Sequence, residues 1–176
     1  MSDVTIFKLT LDSLREILLQ VGYRVETLTD PVAKVPYLRS ATSGLAFDIR
    51  PGNRFAGEDQ GLADVAFTAV LQIQGELPLE LVNRWNATRR FARLQCSQGF
   101  LVFCMDVSAV GGVTPGYLRA QIETWDRLVQ ELIVYLRDEL RKSGTVGAGN
   151  ADAALNGQRP IQQDGAADAA ASPGEG

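Results

Sequence analysis

The chain of 176 residues contains no histidine. That absence removes the Ser-His and Cys-His nucleophile pairs, the common zinc catalytic sets and the usual general base near neutral pH. An enzyme built on this sequence would depend on carboxylates or lysine, and lysine is scarce. Cysteine is scarce as well: Cys96 and Cys104 fall on the two arms, Ala92 to Ser97 and Phe100 to Val107, of a hairpin that turns at Gln98-Gly99. In that register the two residues lie on the order of 10 Å apart at about 3.3 Å per residue. A disulfide needs Cα atoms within about 7 Å, so both are expected to be buried thiols acting as small hydrophobes. No apolar run approaches the roughly 18 residues of a membrane span. The N-terminus, Met-Ser-Asp-Val-Thr, has no basic segment followed by an apolar one, so no signal peptide is expected and the cytoplasm is the expected compartment.

An excess of positive charge is missing too. The formal net charge is -4 and the isoelectric point about 4.9. Beyond Lys142, Asp152, Asp164, Asp168 and Glu175 face only Arg159, a net -3, which leaves the rest of the chain nearly neutral. A near-neutral domain lacks the field that non-specific phosphate binding requires, which argues against nucleic acid as the partner. What is present suits one domain with a real core, since 45% of the residues are hydrophobic and 22% charged. The expected division is a domain over residues 1–142 and a disordered tail over 143–176, whose Ala, Gly, Asp, Gln and Pro cannot bury enough surface to offset chain entropy.

Local patterns predict the elements. Thr10 is an N-cap, Leu11, Leu14, Ile17, Leu18 and Val21 recur at helical spacing, and Gly22 stands where a left-handed C′ residue belongs. Between Tyr23 and Pro51 the alternation indicates one or two strands. Ala63, Val65, Phe67, Ala69, Leu71 and Ile73 then form an apolar strand face backed by Asp64, Thr68, Gln72 and Gln74, so one side packs on helices and the other is largely wet. Glu76-Leu77-Pro78 opens a second helix that ends near Phe91, with Leu81, Val82 and Trp85 as its buried stripe. In the hairpin that follows, Phe100 to Met105 is apolar on both faces, as for a central strand covered on both sides. Gly111-Gly112 turns the chain into a last helix capped by Thr114 and Pro115, with a seam at Leu118, Ile122, Trp125, Val129, Leu132, Leu136 and Leu140. The class is therefore α+β, an antiparallel sheet with helices packed on it in the order α-β-β-β-α-β-β-α.

Several features admit two readings. The last helix carries Leu128, Ile133 and Tyr135 beside its seam, so it either spends a broad arc on its own sheet or also makes a homodimer contact through Trp125, Leu128, Leu132 and Tyr135. Trp85, with Asn83, Asn86 and Arg89, is either core with polar neighbours or a protein-contact patch. Arg84, Arg89, Arg90 and Arg93 either grip phosphate or a partner's carboxylates, or make a polar helix face with cations near its C-terminus. Glu58-Asp59 with Asp48 or Asp64 either holds a hard cation or forms a solvated loop, and its spacing matches no calcium motif. Gly144-Thr145-Val146-Gly147-Ala148-Gly149 follows a helix and lacks a Lys-Ser/Thr ending, the wrong context for a nucleotide loop. Neither a catalytic residue, a metal set nor a cofactor motif emerges.

One sequence of features resembles a known family. Leu79-Glu80-Leu81-Val82-Asn83-Arg84-Trp85-Asn86 is followed by a short strand, then by the hairpin ending in Met105-Asp106-Val107, then by Gly111-Gly112-Val113-Thr114 leading into a long helix with Trp125. In that order they resemble the YbjN family of bacterial sensory transduction regulators, over about Leu9 to Leu140, with the acidic tail outside the pattern. The resemblance implies the fold of the type III secretion chaperones: helices on a curved antiparallel sheet, often dimeric. It carries no established catalytic residues. The function it implies is a non-enzymatic regulator or adaptor acting through protein contacts; the alternative is a chaperone-like binder of an extended client segment. On either reading the partner is a protein, with neither nucleic acid nor a membrane involved.

Overall fold

The computed structural model describes residues 5–57, 61–73 and 77–143. Three helices and six strands alternate as α1 (Leu11–Gln20), β1 (Glu26–Thr29), β2 (Pro36–Thr42), β3 (Leu45–Pro51), β4 (Asp64–Gln72), α2 (Leu79–Thr88), β5 (Arg93–Ser97), β6 (Phe100–Ser108) and α3 (Pro115–Ser143). The α+β class and the helices resting on one antiparallel sheet are as the sequence indicates. The stretch between α1 and Pro51 divides into three strands, not one or two, because Asp30 and Ser43-Gly44 each reverse the chain. Helix α2 stops at Thr88, three residues before Phe91, whose φ of 73° is incompatible with a right-handed helix.

Local chemistry sets the boundaries. At α1, Thr10 Oγ1 accepts from the Ser13 N–H and Ser13 Oγ accepts from the Thr10 N–H, both at 3.1 Å, a reciprocal cap that satisfies two otherwise orphaned donors. Gly22, at φ +92°, then takes the left-handed position that turns the chain out of the helix. Two strand pairs close through two-residue turns with positive φ at both central positions, Ser43-Gly44 between β2 and β3 and Gln98-Gly99 between β5 and β6. Such turns match the twist of the strands they join.

The sheet runs β1-β2-β3-β4-β6-β5, with every neighbouring pair antiparallel. All three helices lie on one face. Trp125 of α3 sits over the sheet centre with its ring centroid 5.6 Å from Phe47, 5.7 Å from Phe67 and 5.2 Å from Phe103. Trp85 of α2 packs edge-on to Phe103, and Leu14, Ile17 and Leu18 of α1 complete the cover. Contiguous burial of this kind contributes about 25 cal/mol for each Å² of apolar surface removed from water.

The opposite face of the sheet carries no helix among the described residues. This corrects the expectation for β6: its outer side is open, with Phe100 41% exposed and Asp106 exposed, because β6 lies next to the edge strand and the helices occupy the other side. On that open side Val102 is half-buried and Cys104 buried. The cysteines are both unbridged, yet only Cys104 is buried; Cys96 is exposed on the edge strand, where nothing is left to cover it. Glu58-Asp59, the glycine run at 144–149 and the tail from residue 144 lie outside the described residues.

Candidate interaction surface

The open face is organised in rows that cross the strands. One row reads Arg39, Asp48, Thr68, Cys104 and Arg93, each the register partner of the next. Asp48, only 8% exposed, accepts from Arg39 Nε at 2.7 Å, Arg39 Nη2 at 3.1 Å and Arg50 Nη2 at 3.1 Å. Arg50 Nη1 reaches on to Asp30 Oδ2 at 2.9 Å. Both guanidiniums lie over the Tyr37 ring, Arg50 at 4.4 Å and Arg39 at 5.6 Å, so the aromatic face and the carboxylate hold each cation from two sides.

Protonation follows that geometry. The Ala33 N–H, the Arg50 guanidinium and the Val32 N–H bonded to Asp30 hold its carboxyl at about 2, below the usual 3.8. The hydrogen bond to Asp48 raises Arg39 further from neutrality. At the far end of the row Arg93 pairs with Asp106, and burial pushes the Cys104 thiol up, so it is the neutral thiol that faces them. A thiol shifted in that direction is a poor nucleophile at neutral pH.

Beside this polar row runs an apolar one. Ala41 faces Ala46, Val70 faces Val102, and Phe100 lies one step along β6 opposite Gln72. Val70 is 43% exposed. An apolar band bordered by a fixed ladder of ion pairs is a surface on which another protein can bury its own apolar side chains while polar groups at the border set the register.

The residues singled out from the sequence are distributed differently. Trp85 is fully buried, donates Nε1–H to the Ala92 carbonyl at 3.1 Å and packs on Phe103 and Tyr135, which corrects the contact-patch reading for that side chain. Asn83 on α2 and Arg89, the residue that follows its last turn, are exposed, with Arg89 over the Trp85 ring and 3.6 Å from Glu131. Asn86 lies on the same stripe, but its amide is engaged with the backbone of Leu94 in β5. Trp125, Leu128 and Leu132 are buried against their own sheet, and the half-buried Tyr135 donates its hydroxyl to the Leu81 carbonyl at 2.7 Å. Trp125, Leu128 and Leu132 therefore have no surface left for a dimer contact, whereas Tyr135 is only half-buried and keeps part of its ring on the outer side of α3. What α3 leaves outward is a shallow depression of about 390 Å³ between Arg89, Arg127, Glu131, Val134 and Asp138.

The arginine cluster is largely neutralised in place. Arg84 pairs with Glu80 and Glu139, Arg89 with Glu131 and Arg93 with Asp106, so three of its four members already hold carboxylates. Among the described residues no group of three or more His, Cys, Asp or Glu is placed to hold a metal ion, and no helix is long and apolar enough to cross a membrane. The ladder around Asp48 is the feature sequence reasoning missed. Its signal was present in the opposite charges of Arg39, Asp48 and Arg50 on the polar side of two adjacent strands, but only the register joins them.

Residues 10–137 match the family model YbjN, described as "Putative bacterial sensory transduction regulator". No curated protein matches the chain.

Proposed function

The chain belongs to the YbjN family, and from that premise we propose that it is a non-enzymatic regulatory protein of the cytoplasm that acts by binding another protein through the open face of its sheet. The observation that carries this reading is the apolar band of Val70, Val102 and Phe100 beside the Arg39–Asp48–Arg50 ladder, on a sheet face that no described helix covers. A face kept partly apolar at the expense of solubility suits recognition, and ion pairs fixed by a buried carboxylate supply specificity more than affinity. The sequence offers no histidine for the commoner hydrolytic and acid–base schemes, which agrees with a binding role. Dimer formation, if it accompanies this role, uses surfaces other than Trp125, Leu128 and Leu132.

Comparative affinity capture tests the reading. Full-length chain and its Val70→Glu variant are immobilised in parallel, exposed to lysate of the native host, and the bound proteins identified by mass spectrometry. A protein held by the wild type and lost with the folded variant supports the open face as the contact. Identical recovery by both sinks it.

A further inference from the structure

The outer side of α3 carries an exposed stripe at two-turn spacing, Arg127, Val134 and Arg141. Val134 is 57% exposed, and with the half-buried Tyr135 it supplies the apolar part of the shallow depression that Arg89 and Arg127 border. Glu131 is shared by those two arginines, 2.5 Å from Arg127 Nη1 and 3.6 Å from Arg89 Nε. From Arg127 to the end of the helix this side bears Arg127, Arg137 and Arg141 with Arg89 beside them, against the carboxylates of Glu131 and Asp138 alone. Glu139 points elsewhere, to Arg84 and Lys142. An exposed apolar side chain thus sits in a local excess of positive charge on a chain whose formal charge is -4.

The segment that continues from α3 has the opposite character. Residues 144–176 hold Asp152, Asp164, Asp168 and Glu175 against Arg159. Asp152 is the first charged residue after Lys142, and Leu155 the first apolar side chain larger than valine after Leu140. Helix α3 ends at Ser143, about 14 Å beyond Val134 at 1.5 Å per residue. A chain that reverses within Gly144 to Gly149 and then runs back extended, at about 3.3 Å per residue, brings Asp152 to Leu155 level with Val134. We propose that residues 152–155 of the same chain dock on the outer side of α3, Asp152 among the arginines and Leu155 on Val134 and Tyr135. The tether supplies an effective concentration on the order of mM, so a contact that is weak between separate molecules is occupied within one. Any other occupant of this side of α3 then competes with the segment. This inference concerns the outer side of α3 and is independent of the open-face reading.

Amide NMR spectra of the isotope-labelled full chain test it. A double variant, Asp152→Lys with Leu155→Ser, is expected to move the signals of Gln130, Glu131 and Val134 while leaving those of Val70 and Val102 in place. That difference from wild type should shrink as salt rises from about 0.01 M to about 1 M, because the Debye length falls from about 30 Å to about 3 Å. In return Val134→Ser, at an exposed helix position, should move the signals of Asp152 and Leu155. All these shifts should be the same at every protein concentration, as a contact within one chain requires. Unmoved α3 signals in the double variant overturn the proposal, and so do shifts that fall on the open face of the sheet instead. A difference that grows with protein concentration also overturns it, since the segment would then be docking on a second copy.

Discussion

On the helix-covered face of the sheet Phe47, Phe67 and Phe103 surround Trp125, while on the open face the very next residues of the same three strands are Asp48, Thr68 and Cys104. One backbone thus carries two surfaces with different physics. The covered side is held by burial of large rings, which is non-directional and tolerates no water. The open side is held by a carboxylate shared between two arginines, which is directional and works beside solvent. Burial on one face and, on the function proposed above, recognition on the other are carried by alternate residues of the same strands, so that change on one side should leave the other largely intact.

The sharpest way to break this comparison is to empty the covered face. Trp125→Ala is expected to cost about 3–5 kcal/mol by equilibrium urea unfolding, the range for deleting a large buried aromatic. A loss below about 1 kcal/mol would show that the ring cluster is not the centre of the core. Next comes Asp48→Ala, expected to cost about 1–2 kcal/mol in the same assay, since two arginines lose a shared partner but remain some 40% exposed and can turn to water. Trp85→Phe keeps the ring packing and deletes only the donor to the Ala92 carbonyl; about 1 kcal/mol is expected, and no loss would mean that α2 and β5 are joined by packing alone.

A smaller effect sharpens the picture by pH. The folded-state value of Asp30, about 2, lies below its ordinary 3.8, so its ionised form stabilises the fold above about pH 4 and that contribution is lost as pH falls toward 2. Asp30→Asn should therefore make the stability profile flatter between those limits and lower stability by a constant amount above about pH 4, as thermal unfolding from about pH 2 to neutrality would show. Smallest of all, Val70→Thr should shift stability by less than about 0.5 kcal/mol, as for an exposed strand position. A loss as large as that of Asp48→Ala would mean that Val70 is covered.

Much of the covered face was legible in the sequence. The alternation of Val65, Phe67, Ala69 and Leu71 and the three-four seam of α3 are periodic signals of burial, and each of these residues is buried except Leu140 at the far end of the seam, which is half-buried. The site was legible only in pieces. Trp85 and Trp125 stand out in a sequence because they are large and rare, but size is equally a reason for being core, and burial decided against a surface role for both. Arg39, Asp48 and Arg50 carry no local signature; an antiparallel register of nine residues' separation, set by the Ser43-Gly44 turn, brings the first two together. Asn86 looked like part of a surface patch because nothing in a helix pattern reveals that the following strand passes within hydrogen-bonding distance.

By itself the sequence determined the class of the fold, the helix caps, the tight turns and which residues are apolar enough to leave water, because these follow from local sterics and from periodicity along one chain. Only the tertiary structure decided that all three helices lie on a single face, that β5 ends the sheet with Asn86 against it, and that Asp48 binds two arginines. Those outcomes depend on strand order and register, which arise from contacts between segments far apart in the chain and leave no period for a sequence to show.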